Sequence, residues 1–245
     1  NTEKDILTCL DAMSINVIEF ILEPLASAFS VLNPDEMNLG SILIDIGGGT
    51  TDVISYANGS VLHTGVVPIG GTIITNDIAY RIQTSVEQAE ELKKQHGTSN
   101  TNESNENNEI VVKGVAGRNE FNISQKMLSE VVEPRVKEIF ELSKAEIEKS
   151  NFKGEYTFGI ILTGGGSKLD GIVKSAFEVF DMPIKKGLPI NDFEIENIDI
   201  DILDPRYATA IGLVKYAGQN FKLYNKIHKS SFIDIAKKFI KELLK

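Results

Sequence analysis

The sequence predicts an α/β fold built on a mixed sheet, and three observations carry that reading. Two β-rich runs, "SILIDI" and "TDVISYA", flank three consecutive glycines, and Asn58-Gly59 then turns the chain into a third run, "SVLHTGVV". Asn-Gly is a strong hairpin signal, so these strands follow one another antiparallel. Further on, "YTFGIILTGGGSKLDGIVKSAFEVF" reads strand, glycine turn, helix, the order that feeds a parallel pairing.

The elements follow in order. "TEKDILTCLDAM" has helical spacing to about Met13, "NVIEFIL" reads as a strand, and "PLASAFSVL" as a helix opened by Pro24. After the three strands, "TNDIAYRIQ" and "VEQAEELKKQH" alternate apolar and charged residues at helical spacing, with Gly97 closing the second as a C-cap. Residues 98 to 109, "TSNTNESNENNE" without its neighbours, carry no apolar side chain. They are expected to form a mobile surface loop, with a docking tail as the other reading. "EIVVKGV" is a strand candidate. In "NISQKMLSEVVEPRVKEIFELSKAEIEKS", Ile123, Met127, Val131, Val136, Ile139 and Phe140 fall on helical repeats, and Pro134 predicts a kink or two successive helices. "PRYATAIGLVKYA" is a helix starting at Pro205, and lysine becomes frequent from about Lys222. The chain has no internal repeat.

The 245 residues suffice for one large domain or two small ones. A net charge of −10, from 25 basic and 35 acidic residues, argues against general nucleic-acid binding through phosphates. The single cysteine, Cys9, excludes an intramolecular disulfide framework and a Cys-rich zinc site, and reads as a small apolar residue in a reducing compartment. No apolar run is long enough to span a bilayer and no signal peptide is seen, so the expectation is a cytosolic protein. The chain begins at Asn1 rather than methionine, which suggests a cut through a longer protein.

The chemistry concentrates in "DIGGGTTD". Gly47, Gly48 and Gly49 lack β-carbons, so turn amides can reach an anion, while Thr50 and Thr51 add hydroxyls. Asp45 and Asp52 on either side would repel phosphate unless a divalent cation stands between, which implies hydrated magnesium. An ordinary glycine hairpin needs one or two glycines rather than three. The second turn, Gly164, Gly165 and Gly166 with Lys168, is open to two readings: backbone exposed to a base or ribose, or glycines kept for packing. Glu90, Lys93 and Lys94 share a helix face, suited to ribose hydroxyls or to a solvated salt-bridge ladder.

The order "LEPLASAFSVL", "LIDIGGGTTDV", "GGTIITNDIA", "AEELKKQHG", "VVEPRVKEIFEL", "ILTGGGSKLDGI" and "YATAIGLVKY" resembles the second half of the actin-like ATPases, above all the bacterial cell-division family FtsA, over residues 1 to 217. The resemblance implies an actin-like, ribonuclease H-like α/β domain with a mixed sheet from residues 1–75 and 155–221 (subdomain 2A), a small inserted α+β subdomain from 76–154 (2B), and a linker and amphipathic helix in 222–245. It implies ATP and Mg2+ as ligands. Asp45 would lie by the metal, through water, and by the attacking water, which Glu23 would orient; Glu23 before Pro24 could equally cap a helix. Gly47, Gly48, Gly49 and Thr50 would take the β- and γ-phosphates, Gly164, Gly165, Gly166 and Lys168 the adenosine, and Glu90, Lys93 and Lys94 the ribose.

The family's first phosphate loop and its other inserted subdomain have no counterpart before "EPLAS", so the expectation is weak or absent ATPase activity for this chain alone. Residues Lys226 to Lys245 carry six lysines against Asp234 and Glu242, with Phe232, Ile235, Phe239, Ile240, Leu243 and Leu244 on one stripe. That pattern suits an interfacial helix on an anionic membrane, or a core-packing or self-associating helix, and the resemblance favours the membrane. The resemblance also implies the C-terminal peptide of FtsZ as a partner of the 76–154 segment, with Arg135 and Lys137 as candidates for an acidic peptide or else as ordinary solvated charges. Filament-like self-association, other divisome proteins and a place on the cytoplasmic face of the membrane at the division site complete the expected adaptor. An actin-like sugar kinase or phosphatase with Asp45 as general base, or a pilus-assembly or chaperone relative, is the competing reading.

Overall fold

The structure, a computed structural model, describes residues 2–114, 117, 119–190 and 200–224. Helix α1 (Thr2–Ala12) comes first, followed by α2 (Glu23–Val31) and the short α3 (Pro34–Leu39). Three strands, β1 (Ser41–Ile46), β2 (Thr51–Ala57) and β3 (Ser60–Val67), lead into α4 (Gly71–Ile82) and α5 (Val86–His96). A two-stranded sheet of β4 (Glu109–Val112) and β5 (Phe121–Ser124) precedes the long α6 (Gln125–Glu148). Then come β6 (Ile160–Thr163), α7 (Ile172–Phe180), β7 (Ile184–Lys186) and α8 (Ala208–Tyr224).

The main sheet has the order β3-β2-β1-β6-β7. β1 pairs antiparallel with β2 and parallel with β6, so the sheet is mixed, as the sequence predicts. β1 is buried along its whole length because helices cover both of its faces. Side chains alternate across a strand. Ile42, Ile44 and Ile46 therefore join the core formed with α4, α6 and α7, while Leu43 packs with α2 and the start of α8. The same alternation places Asp45 on the α2–α8 face at the carboxyl end of the strand. α2 and α8 meet at very short range: a Cβ at Gly212 would lie 1.7 Å from the Ala26 carbonyl oxygen.

Three expectations are corrected. "NVIEFIL" forms no strand: no strand of the sheet lies beside it, and Ile18, Phe20 and Leu22 are exposed. β propensity yields a strand only where there is an edge to pair with. Tyr216 Oη donates a hydrogen bond to Glu19 in this segment (2.9 Å). Second, residues 98 to 109 begin as a packed strap rather than a loop, with Thr98, Ser99 and Asn100 buried. The Ser99 amide donates to Asp170 O (2.9 Å), Ser175 Oγ donates to Ser99 O (2.8 Å), and the Thr101 amide donates to Glu133 (2.8 Å). The start of this run is packed because its polar groups find partners, while residues 105 to 109 are exposed, as a surface loop would be.

Third, α6 is one continuous helix with Pro134 inside it, which overturns the reading of two successive helices. The proline lies on the exposed side, where water can satisfy the carbonyl that loses its amide partner. Its start also differs: Ile123 is in β5, paired with Ile110, and Ser124 caps the helix by accepting from the Met127 amide. Gly97 closes α5 as its C-cap, as the sequence predicts, in an extended conformation (φ −68°, ψ 131°) with its amide donating to Lys93 O. A Cβ there would lie 2.4 Å from Lys93 O, and lack of space is the reason for the glycine.

The sequence-predicted amphipathic stripe, Phe232, Ile235, Phe239, Ile240, Leu243 and Leu244, lies outside the described residues. Among the described residues, no helix is long and apolar enough to cross a membrane.

The Gly212 contact makes a sharp stability test. Gly212→Ala forces α2 and α8 apart and should destabilise the fold by about 3 kcal/mol in urea denaturation. An unchanged midpoint would mean that the two helices do not need this approach.

Candidate functional site

The two glycine turns lie side by side at the carboxyl end of the sheet, as the parallel pairing of Asp45 with Thr163 requires. In the first turn the Gly47 amide donates to Thr50 O (3.0 Å), and the start of α4 closes against it: the Gly71 and Thr72 amides donate to Gly47 O and Gly48 O, both at 2.8 Å. Gly70 is bare because a Cβ would meet three carbonyl oxygens of the turn within 2.8 Å. Gly49 differs, with no atom within 4 Å of a Cβ, and Gly48 has only Thr72 Oγ1 at 3.5 Å. Packing does not explain glycine at these two positions, and both are exposed. Thr50 is exposed as well. Thr51 is buried and its hydroxyl donates to Ile69 O (2.9 Å), so it fastens the hairpin and offers no free donor.

The second turn divides between its two sequence readings. Gly164 (φ +79°) is required by packing, since a Cβ would lie 2.2 Å from Asp45 Oδ1. Gly166 likewise abuts the Ile46 side chain at 2.3 Å. Gly165 is exposed and meets only Arg206, at 3.4 Å. A cleft of about 630 Å³ runs between the turns and the helices, a size suited to a small-molecule ligand. Its wall brings together Gly47, Gly48, Glu90, Lys93, Lys94, Gly165, Gly166 and Lys168, all singled out in the sequence, with the core residues Val136, Ile139 and Phe140 buried beneath it.

Within the cleft, Lys93 Nζ donates to Gly71 O (2.9 Å) and Thr75 Oγ1 (2.8 Å) and pairs with Glu90 (2.7 Å). Lys94 also pairs with Glu90, at 3.1 Å. Burial works to raise the Glu90 carboxyl, but hydrogen bonds from Lys93, Thr75 and Lys94 outweigh it and bring it down to about 2. The ladder reading is thus present, and it also fixes a cation in the cleft wall. At the mouth, Lys168 and Arg206 share Asp204. Burial opposes ionisation of that carboxyl too, and the two cations bring it to about 2.

On the other side of the turns stands a carboxylate group. Asp45 is buried and accepts from Ser27 Oγ (2.6 Å) and, more weakly, Thr209 Oγ1 (3.4 Å). Burial raises its pKa, the Ser27 bond lowers it, and the negative charge of Glu23 raises it further. Asp52, directly opposite on β2, is pushed up to about 7 by burial and by the charges of Glu23 and Asp45. Glu23 itself is exposed in the first turn of α2. Among the described residues, no three His, Cys, Asp or Glu side chains are arranged to ligate a metal together.

Arg135 sits outside the cleft and is engaged: its guanidinium donates to both carboxylate oxygens of Asp77 (2.6 and 3.3 Å) and pairs with Glu138. It clamps α6 to α4, while Lys137 is exposed. Sequence reasoning did not find Gly70, Ser27, Thr209, Asp204 or Arg206. The tight packing at Gly70 and the hydroxyl chain to Asp45 exist only through contacts between distant segments.

The raised Asp52 carboxyl has a measurable sign. The folded protein holds this proton up to about pH 7, whereas the unfolded chain releases it near its ordinary value of 3.8. This contribution to stability should therefore fall as pH rises from about 4 to 7 without divalent cation, and Asp52→Asn should flatten that slope in thermal melts.

Comparison with known proteins places this geometry in a family. The family model "Cell division protein FtsA" matches residues 42–212. FtsA of Pseudomonas aeruginosa is 39% identical over 219 residues, covering 89% of this chain and 52% of that protein. FtsA of Neisseria meningitidis is 37% identical over 87% of this chain and 51% of its own length, and FtsA of Bacillus subtilis 32% over 91% and 48%. The chain spans about half the length of these relatives. Among solved structures, MreB5 of Spiroplasma citri bound to ADP superposes with a TM-score of 0.70 at 20% identity, over 92% of this chain and 67% of that one. PilM of the PilM–PilN type IV pilus biogenesis complex gives a TM-score of 0.60 at 18% identity, over 87% of this chain and 56% of that one. These two likenesses show the actin-like fold, and the higher identities show the family: the chain belongs to the FtsA family of cell-division proteins.

Proposed function

We propose that this chain is the part of a division adaptor that binds Mg-ATP, with the nucleotide regulating assembly. The observation that carries the reading is the cleft where the first glycine turn faces Gly165, Lys93 and Glu90, with unfilled space above Gly48. Bare turn amides suit phosphate, and Glu90 with Lys94 suits ribose hydroxyls. The MreB5 structures, bound to ADP and AMPPNP, are consistent with such a ligand. Magnesium fits the donor set in one form only. Without three protein ligands the ion would keep its waters and phosphate oxygens, with Asp45 holding it through water and lowering the repulsion among Asp45, Asp52 and Glu23. When bound, the ion supplies positive charge at the β- and γ-phosphates.

The chain's own residues have separable tasks in this proposal. Gly47 to Thr50 receive the phosphates, Lys93 holds the start of α4 against the turn, and Glu23 orients water at the exposed end of the carboxylate group. Residues 76–154 would form the inserted unit that takes an acidic FtsZ peptide, with Lys137 exposed for it and Arg135 holding α6 in place. Residues 222–245 would provide the membrane contact, so that FtsZ filaments are tethered at the division site, with self-association and other divisome proteins building on the same scaffold.

Gly48→Ala separates binding from folding, because its Cβ makes only an ordinary contact with Thr72. Thermal stability should stay within about 0.5 kcal/mol while affinity for a fluorescent ATP analogue with magnesium falls about tenfold or more. Equal affinity in the variant would remove the turn from the nucleotide site. For the tether, the chain should carry FtsZ filaments down with anionic vesicles, and deletion of residues 228–245 should abolish this. Vesicle binding without filaments would overturn the adaptor role.

A further inference from the structure

Asp45 is held by a chain of hydroxyls from two helices. Ser27 on α2 has one proton, and it goes to Asp45 Oδ2 at 2.6 Å. The contact between Ser27 Oγ and Thr209 Oγ1, at 2.9 Å, must then be donated by Thr209. Thr209 belongs to the first turn of α8, and its hydroxyl also lies 3.4 Å from the same Oδ2. Thr209 therefore acts on Oδ2 mainly through Ser27, its own 3.4 Å contact being a minor share of the same proton. The other carboxylate oxygen, Oδ1, points at Gly164, where a Cβ would sit 2.2 Å away. The glycine keeps a side chain from covering that oxygen on this side.

We infer that Ser27 and Thr209 are positioning residues for Asp45, fixing Oδ2 so that Oδ1 alone is presented to a hydrated divalent cation at the phosphate turn. The inference rests on the magnesium-nucleotide reading of the cleft. The geometry that makes it possible is the approach of α8 to α2. Gly212, one turn beyond Thr209 and on the same face of α8, lets the helix approach so closely that a Cβ there would lie 1.7 Å from Ala26 O. Ala26 is the neighbour of Ser27. A movement of α8 along α2 would lengthen the hydroxyl chain, so cation affinity becomes a property of the α2–α8 contact.

The test uses the full chain and a fluorescent ADP analogue, titrated in EDTA and again with excess magnesium. Ser27→Ala and Thr209→Val should leave the EDTA affinity within about twofold of the parent and cut the gain from magnesium about tenfold, because the first removes the hydrogen bond to the Asp45 carboxylate and the second the one that orients Ser27. Thr209→Ser keeps the hydroxyl and should restore the gain, an outcome that a purely structural role of the methyl group would not produce. Thermal melts identify a variant that has simply failed to fold; in that case the comparison of Thr209→Ser with Thr209→Val decides. A magnesium gain equal to the parent in both hydroxyl-deleted variants, or equal loss in Thr209→Ser and Thr209→Val, overturns the inference while leaving nucleotide binding intact. If the parent chain binds the analogue under neither condition, the cleft reading itself falls and takes the positioning role with it.

Discussion

A carboxylate buried at the end of the central strand is the constraint on which this structure depends. β1 is covered on both faces, and period-2 alternation carries Asp45 into the seam between α2 and α8. Ionised and unpaired there, it would be strongly unfavourable. The surroundings answer with hydroxyls rather than cations: Ser27 and Thr209 reach it, and neither lysine nor arginine is among the causes of its shifted ionisation. Placing those hydroxyls requires α2 and α8 to approach as closely as Gly212 allows, and leaving the second oxygen clear requires Gly164. Two glycines far apart in the chain thus serve one side chain.

The opposite sign prevails across the turns. Glu90 is partly buried yet strongly acidic, because Lys93, Thr75 and Lys94 all donate to it. Lys93 is fixed by the same contacts and by Gly71 O, which puts a positive charge beside the first turn of α4. A carboxylate group on one side and an anchored cation on the other leave a field across the glycine turns. A polyanion with its counter-ion satisfies both sides together, whereas either alone would satisfy one.

The sheet and this site were legible in the sequence to the extent that the signals were local. The alternation of "SILIDI", the Asn58-Gly59 turn and the strand-glycine-helix order at 160–180 specify their elements within a few residues, and the structure has them. The triple glycine was informative because Gly48 and Gly49 have no packing reason to be glycine. In the second turn the same residue type meant something else, since Gly164 and Gly166 are dictated by Asp45 and Ile46, more than a hundred positions earlier. Only a structure separates the two cases.

The errors have one cause in common. "NVIEFIL" has the composition of a strand and lacks a partner strand; residues 98 to 100 have the composition of a loop and have partners. Backbone polar groups are satisfied by whatever tertiary structure brings near them. Composition measures what a segment offers, not what it meets. The strap shows this best: Ser99 lies between Asp170 O and Ser175, and Thr101 reaches Glu133, so a segment without an apolar side chain joins α6 to α7 beside the cleft. Because Gly97 and Asp170 also line the cleft wall, the strap's order and the cleft's shape depend on the same hydrogen bonds, and a change in either must be felt in the other.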